Sequence, residues 1–169
     1  MKIPLKPSLL TIRRRSKWII LHHTAEMYEQ PASRIDNVKY QMPGLFKGVL
    51  EKKQGDINYH YVIDKIGEDY VPIVCRPFVY MCDWPDIHPD IANASLHVAL
   101  MGSYSFKVPE KRCYEILAFR VLNPLLKMLH LPPNRIKFHS DVSEDDIDCP
   151  GSFVDPAVVE AMVRRFVIK

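Results

Sequence analysis

The chain has 169 residues, of which 47% are hydrophobic and 25% charged, and it carries a formal net charge of +3. That length supports one domain with a real hydrophobic core and is too short for two comfortable ones, and the composition excludes a disordered or fibrous chain. The small positive charge favours an anionic surface without excluding neutral partners.

Positive charge in the N-terminal MKIPLKPSLLTIRRRSKW follows its short apolar stretch, and no small-residue cleavage site closes it, so it does not read as a secretory signal. No segment reaches the roughly 18 apolar residues of a membrane span. The expectation is a cytoplasmic protein, or one released without a signal peptide, or a secreted one whose leader has been removed. Residues 1–15 read as an extension of a single domain covering 1–169.

SKWIIL, residues 16–21, is a short apolar run before the polar HHTA, the pattern of a buried strand that delivers side chains into a site. A short helix is expected near residues 32–40, followed by a long loop punctuated by Pro43, Gly44 and Gly48. INYHYVID and DYVPIV form a hairpin about a turn at Gly67, with Pro72 marking an edge position or a bulge. Residues 76–94 read as a loop, and SLHVALMG as the next strand. Pro109 opens a long helix with a broad apolar face, kinked at Pro124 and ended by Pro132 and Pro133. RIKFH is a short strand, and Asp155 caps a last helix that starts at Pro156. This order predicts an α/β fold, a central mixed β-sheet flanked by helices, with site residues gathered at strand ends.

His22 and His23 stand directly after the first strand, and successive residues there point to opposite faces, so at most one of them faces a given site. His139 ends another strand, and Cys149 lies ten residues beyond it, before Pro150-Gly151. Two imidazoles and a thiolate are a sensible catalytic zinc set, because three protein ligands leave the fourth tetrahedral position to water. From spacing alone that reading competes with packed core histidines and a reduced structural cysteine. Four cysteines allow three pairings; a Cys75–Cys82 bridge is conceivable, but the intracellular-looking N-terminus argues against it.

WIILHHTA, INYHYVIDKIGEDY, NASLHVALMGSYS and HSDVSEDDIDCPG occur in this order between Lys17 and Met162. Together they resemble the zinc-dependent N-acetylmuramoyl-L-alanine amidases, a family that includes phage lysozyme-type amidases, cell-wall-recycling amidases and animal peptidoglycan recognition proteins. The resemblance implies the fold of those proteins and hydrolysis of the amide between N-acetylmuramic acid and L-alanine in peptidoglycan or muropeptides. It implies one Zn2+ held by His22, His139 and Cys149, with His23 a neighbour that is not a ligand and Tyr59 the catalytic-site tyrosine. His60 is expected to face away from Tyr59, in the core or behind a ligand.

Three positions depart from the family pattern. Ile147 stands where many catalytic members have a lysine or threonine that touches the developing oxyanion, and isoleucine donates no hydrogen bond. MCDWPDIHPD replaces the segment of a substrate-contacting histidine, with His88 a candidate substitute, and His97 replaces a small glycine in its strand. Candidates for lining a substrate groove are Phe46, Trp84, His88 and Asn93, with Tyr80 and Tyr104 further aromatics that pack equally well in a core. The alternatives are a recognition module that binds muropeptides without cutting them, and an endopeptidase on the same scaffold. A role within a larger particle would need a protein partner that the sequence does not specify. Nucleic-acid binding is not indicated, because Arg13–Arg15 is too local a basic cluster.

Overall fold

The computed structural model describes residues 16–25, 58–82 and 84–166. The N-terminal extension, the helix expected at 32–40 and Phe46 lie outside these residues. Five strands form one sheet: β1 (Trp18–His23), β2 (Tyr61–Ile66), β3 (Asp69–Val74), β4 (Ser95–Leu100) and β5 (Ile136–Phe138), in the order β3-β2-β4-β1-β5. Only the β2–β3 hairpin is antiparallel; β2, β4, β1 and β5 run parallel. The mixed sheet expected from the sequence is present, with Pro72 on the edge strand, where a missing N–H costs least.

β1 runs through His22 and His23 rather than stopping before them, because β4 pairs with it to its last residue, His22 opposite Ala99 and His23 opposite Leu100. Alternation then divides the sheet into two faces. Ile19, Leu21, Ile63, Leu96, Val98 and Leu100 pack with the helices into the main core. His22, Val62, Asp64, His97 and Ala99 alternate with these along their strands, and they are buried together with His60, which directly precedes β2.

The segment between β3 and β4, expected as a loop, contains the short helix α1 (Pro89–Ala92), started by Pro89 with the His88 ring accepting from the Asp90 N–H. The long helical stretch is divided into α2 (Lys111–Ile116), a π-helical segment (Leu117–Leu122) and α3 (Asn123–Leu129). The sequence predicts a kink at Pro124, and the structure resolves it by widening the preceding turns. A proline offers no N–H to the Arg120 carbonyl, and a π-helical turn relieves the clash of its ring with that carbonyl. α3 ends at His130, in the left-handed conformation, before the two prolines are reached. The last helix, α4 (Pro156–Arg165), is capped by the Asp155 side chain, which accepts from the Ala157 N–H as expected. Among the described residues no helix is long and apolar enough to cross a membrane. Cys75 and Cys82 are not bridged to each other.

Two close fits hold the loop that carries Cys149. The Ser140 N–H donates to the Cys149 carbonyl at 2.9 Å, tying the loop to the turn after β5. Gly151, at φ +103°, lies flat on the Tyr104–Ser105 peptide, so that an added Cβ would fall 2.3 Å from the Tyr104 carbonyl carbon and 2.5 Å from its oxygen. Tyr104 is buried, its hydroxyl donating to the Met101 carbonyl at 3.2 Å, so this aromatic belongs to the core and not to a groove.

Gly102 has a similar φ of +113° but open space, with no atom nearer an added Cβ than a Tyr104 ring carbon at 4.0 Å. Gly102→Ala therefore carries only the conformational cost, about 1–2 kcal/mol, whereas Gly151→Ala also forces two backbones apart and is expected to cost more than about 3 kcal/mol. Urea unfolding of the two variants checks this, and equal losses would refute the close-approach argument.

Asp64 is 1% exposed, and neither carboxylate oxygen makes a well-aligned hydrogen bond among the described residues. Burial raises its pKa from 3.8 to about 6, offset only in part by the Lys65 backbone N–H. A raised carboxyl favours the fold when protonated, so its contribution is complete below pH 4 and is lost as pH rises through about 6. Asp64→Asn should thus leave stability little changed at pH 4 and raise it by about 1–3 kcal/mol at pH 7.5. Chemical denaturation at both pH values measures the difference; a pH-independent effect would show that Asp64 ionises freely in the fold.

Candidate functional site

The C-terminal end of β1 carries the site. His22 is wholly buried, flanked by β4 on one side and β5 on the other. β5 delivers His139 directly after its last residue, and the Phe138 N–H donates to Asp141 at 2.8 Å to form the turn that orients it. The Cys149 loop then brings its thiol to 3.8 Å from His22 Nδ1. The donor atoms of His22, His139 and Cys149 all lie within 4.8 Å of one another.

This donor set fits zinc. With Zn–S of about 2.3 Å and Zn–N of about 2.0–2.1 Å at tetrahedral angles, sulfur and nitrogen stand about 3.6 Å apart, close to the observed 3.8 Å. Each of the two rings has a polar neighbour beside its Nε2. His22 Nε2 lies 2.9 Å from His97 Nδ1, and His139 Nε2 lies 2.8 Å from Asp86 Oδ2 in a close but bent contact. Asp86 is held in turn by the Ser143 hydroxyl at 2.9 Å, and its carbonyl accepts from the Glu144 N–H at 2.7 Å. A carboxylate behind a histidine fixes the ring and increases its basicity as a ligand.

Electrostatics favour uncharged imidazoles. Burial holds His22 well below the ordinary imidazole range, reinforced by the surrounding histidines. Burial also lowers His139, with Asp86 pulling the other way. The Cys149 thiol is pushed up to about 12 by burial, although the His23 N–H, 3.5 Å from the sulfur, favours the thiolate. A divalent cation is what such a thiol requires in order to ionise.

His23 points elsewhere, as strand alternation requires: its Nδ1 accepts from the Tyr104 N–H at 3.1 Å and anchors the segment after β4. Tyr59 stands edge-on to His22 at 5.5 Å between ring centroids, its hydroxyl donating to the His23 carbonyl over a long 3.4 Å. Trp84 stacks on His22 at 4.3 Å and 18°, with its edge against His139 at 4.8 Å. Its indole N–H is buried and has no hydrogen-bond partner among the described residues. His60 is buried behind the site and receives the His97 N–H on Nδ1. His88 and Asn93 stand exposed at the two ends of α1, and among the described residues no hydrogen bond or ring contact joins either to the cluster. Ile147 is half-buried in the loop before Cys149 and belongs to neither hydrophobic cluster.

Sequence reasoning missed Asp86 altogether. It lies 53 positions before the histidine it touches, and an isolated bridge between Ile87 and Ser143, with the Ser143 and Glu144 hydrogen bonds, brings its loop to that place. His97 was visible only as a large residue where a small one is usual.

No curated protein sequence matches the chain. Among solved structures, the N-acetylmuramoyl-L-alanine amidase LysC from Clostridium intestinale is similar with a TM-score of 0.69 and 17% identity, over 95% of this chain and 91% of that one. Drosophila PGRP-LB gives 0.66 and 20% identity over 90% and 84% of the two chains. Drosophila peptidoglycan recognition protein SD gives 0.65 and 21% over 85% and 81%. At these identities the likeness establishes the fold. Residues 13–152 match the family model described as N-acetylmuramoyl-L-alanine amidase, and the chain belongs to that family.

Proposed function

We propose that this chain hydrolyses the amide bond between the lactyl group of N-acetylmuramic acid and L-alanine, in peptidoglycan or muropeptides, using one Zn2+ held by His22, His139 and Cys149. The observation that carries the reading is the convergence of those three donors, in a member of the amidase family, at the end of the central strand. Zinc bound there supplies Lewis acidity toward the scissile carbonyl and brings the pKa of a coordinated water toward neutrality.

The chain's own residues do the rest. Trp84 covers the face of His22 and limits the access of bulk water to it. We assign to Tyr59 the hydrogen bond to the substrate oxygen and proton delivery to the departing amine, since its present bond to the His23 carbonyl is long and readily exchanged. The exposed Asp146 is the second candidate for that proton. The unpartnered indole N–H of Trp84 is a further donor beside the ligands.

Elemental analysis is expected to find about one zinc per chain, lowered sharply in His139→Ala. Mass spectrometry of muropeptides should show cleavage at the lactyl–alanine bond, abolished by a chelator and by Cys149→Ala. Muropeptides that bind without releasing peptide would establish a recognition module instead. Cuts between two amino acids would establish an endopeptidase.

Ile147 generates a sharper expectation. Placing a donor there should help the transition state more than the ground state, so Ile147→Lys or Ile147→Thr is expected to raise kcat, by about tenfold, with KM nearly unchanged. Its half-buried position outside both hydrophobic clusters makes the change tolerable. Simultaneous loss of activity and thermal stability in both variants would instead make Ile147 a packing residue.

A further inference from the structure

His97 is wholly buried in β4, at the position where the family resemblance has a small glycine. The parallel register sets it opposite Ile20, two residues before His22 on the same face of the sheet, so the two rings meet diagonally. His22 Nε2 and His97 Nδ1 are 2.9 Å apart, and on the other side of the ring His97 Nε2 lies 3.4 Å from the Ala92 carbonyl at the end of α1. The His97 backbone N–H donates to His60 Nδ1 at 3.0 Å, and His60 Nε2 lies 2.9 Å from the Tyr80 carbonyl.

The placement of the protons follows from the carbonyls, which only accept. The Ala92 carbonyl calls for a proton on His97 Nε2, and a neutral His97 then presents a bare Nδ1. Between two ring nitrogens 2.9 Å apart one proton is shared, so it belongs to His22 Nε2. His22 is left with its lone pair on Nδ1, the atom 3.8 Å from the Cys149 sulfur. The opposite arrangement would put a proton on His22 Nδ1, where no metal could bind, and would aim the His97 Nε2 lone pair at the Ala92 carbonyl.

We propose that His97 is a positioning residue for the metal site: it passes the acceptor character of the Ala92 carbonyl through its own ring and fixes His22 as the Nδ1-binding tautomer. The histidine thus supplies behind His22 what Asp86 supplies behind His139, without adding a second buried charge. This rests on the reading of His22 as a metal ligand.

The experiment compares the parent protein with His97→Ala, which removes the acceptor, and His97→Asn, whose side-chain oxygen sits near the position of Nδ1. Nitrogen-15 imidazole spectra of the metal-free protein should show His22 protonated on Nε2 in the parent and in His97→Asn, and a mixture of tautomers in His97→Ala. Zinc affinity, read by competition with a chromogenic chelator, should fall by about 10- to 100-fold in His97→Ala and return close to the parent value in His97→Asn. A parent protein with His22 protonated on Nδ1 overturns the proposal without any variant, and so does equal zinc affinity in the parent and a folded His97→Ala. A parent that shows the Nε2 tautomer but takes up no zinc contradicts the metal reading itself, a result separate from any failure of the relay.

Discussion

An uncharged imidazole at the centre of the sheet is the constraint on which the rest of this structure depends. His22 is enclosed by β4, β5, Trp84 and two other histidines, and a second proton on its ring would cost several kcal/mol, with the neighbouring histidines adding to the burial penalty. Desolvation keeps the ring neutral, and a neutral ring has a lone pair to give. The parallel pairing of β1 on both sides serves that end. The pairing with β4 continues past the apolar Ile19 to Leu21, beyond the last β5 pair at Leu21, and carries the histidine into the interior, where an edge strand would leave it in water.

How much of this was legible in the sequence differs from residue to residue for physical reasons. The apolar run before His22 and the short strand before His139 reveal themselves by composition, and so do the capping Asp155 and the hairpin about Gly67. Alternation correctly allows only one of His22 and His23 into the site. The limits of β1 and β2 were less visible, because strand length depends on what pairs alongside. β1 reaches His23 since β4 continues beside it, and β2 starts at Tyr61 rather than Ile57. Asp86 lay beyond reach altogether, and His97 showed only as a large residue at a position where a small one is usual. Each acts through one contact across a long sequence separation, and no local periodicity records that.

The Cys149 loop shows a different route to rigidity from the strands. Its thiol sits where burial opposes ionisation, yet the His23 N–H faces the sulfur and Gly151 presses the following turn onto the Tyr104–Ser105 peptide. His23 serves this loop twice, through that N–H and through its ring on the Tyr104 N–H. The residue beside His22 is therefore structural, and its work is to hold the Cys149 loop in place.

Charge balance unites these parts. With His22 and His139 neutral, a divalent cation bound among them would have to be met by the Cys149 sulfur, ionised by that cation, and by the Asp86 carboxylate beside His139. One thiolate and one carboxylate cancel two positive charges in a buried space where an uncompensated charge would be costly. A second carboxylate behind His22 would overshoot that balance. A neutral His97, stacked at 5.5 Å against Trp84 and joined to the Ala92 carbonyl, orients the ring while leaving the total unchanged. The acidic loop around Asp145, Asp146 and Asp148 stays exposed, where its carboxylates keep their hydration, although Asp148 is near enough to act on Cys149 and His23.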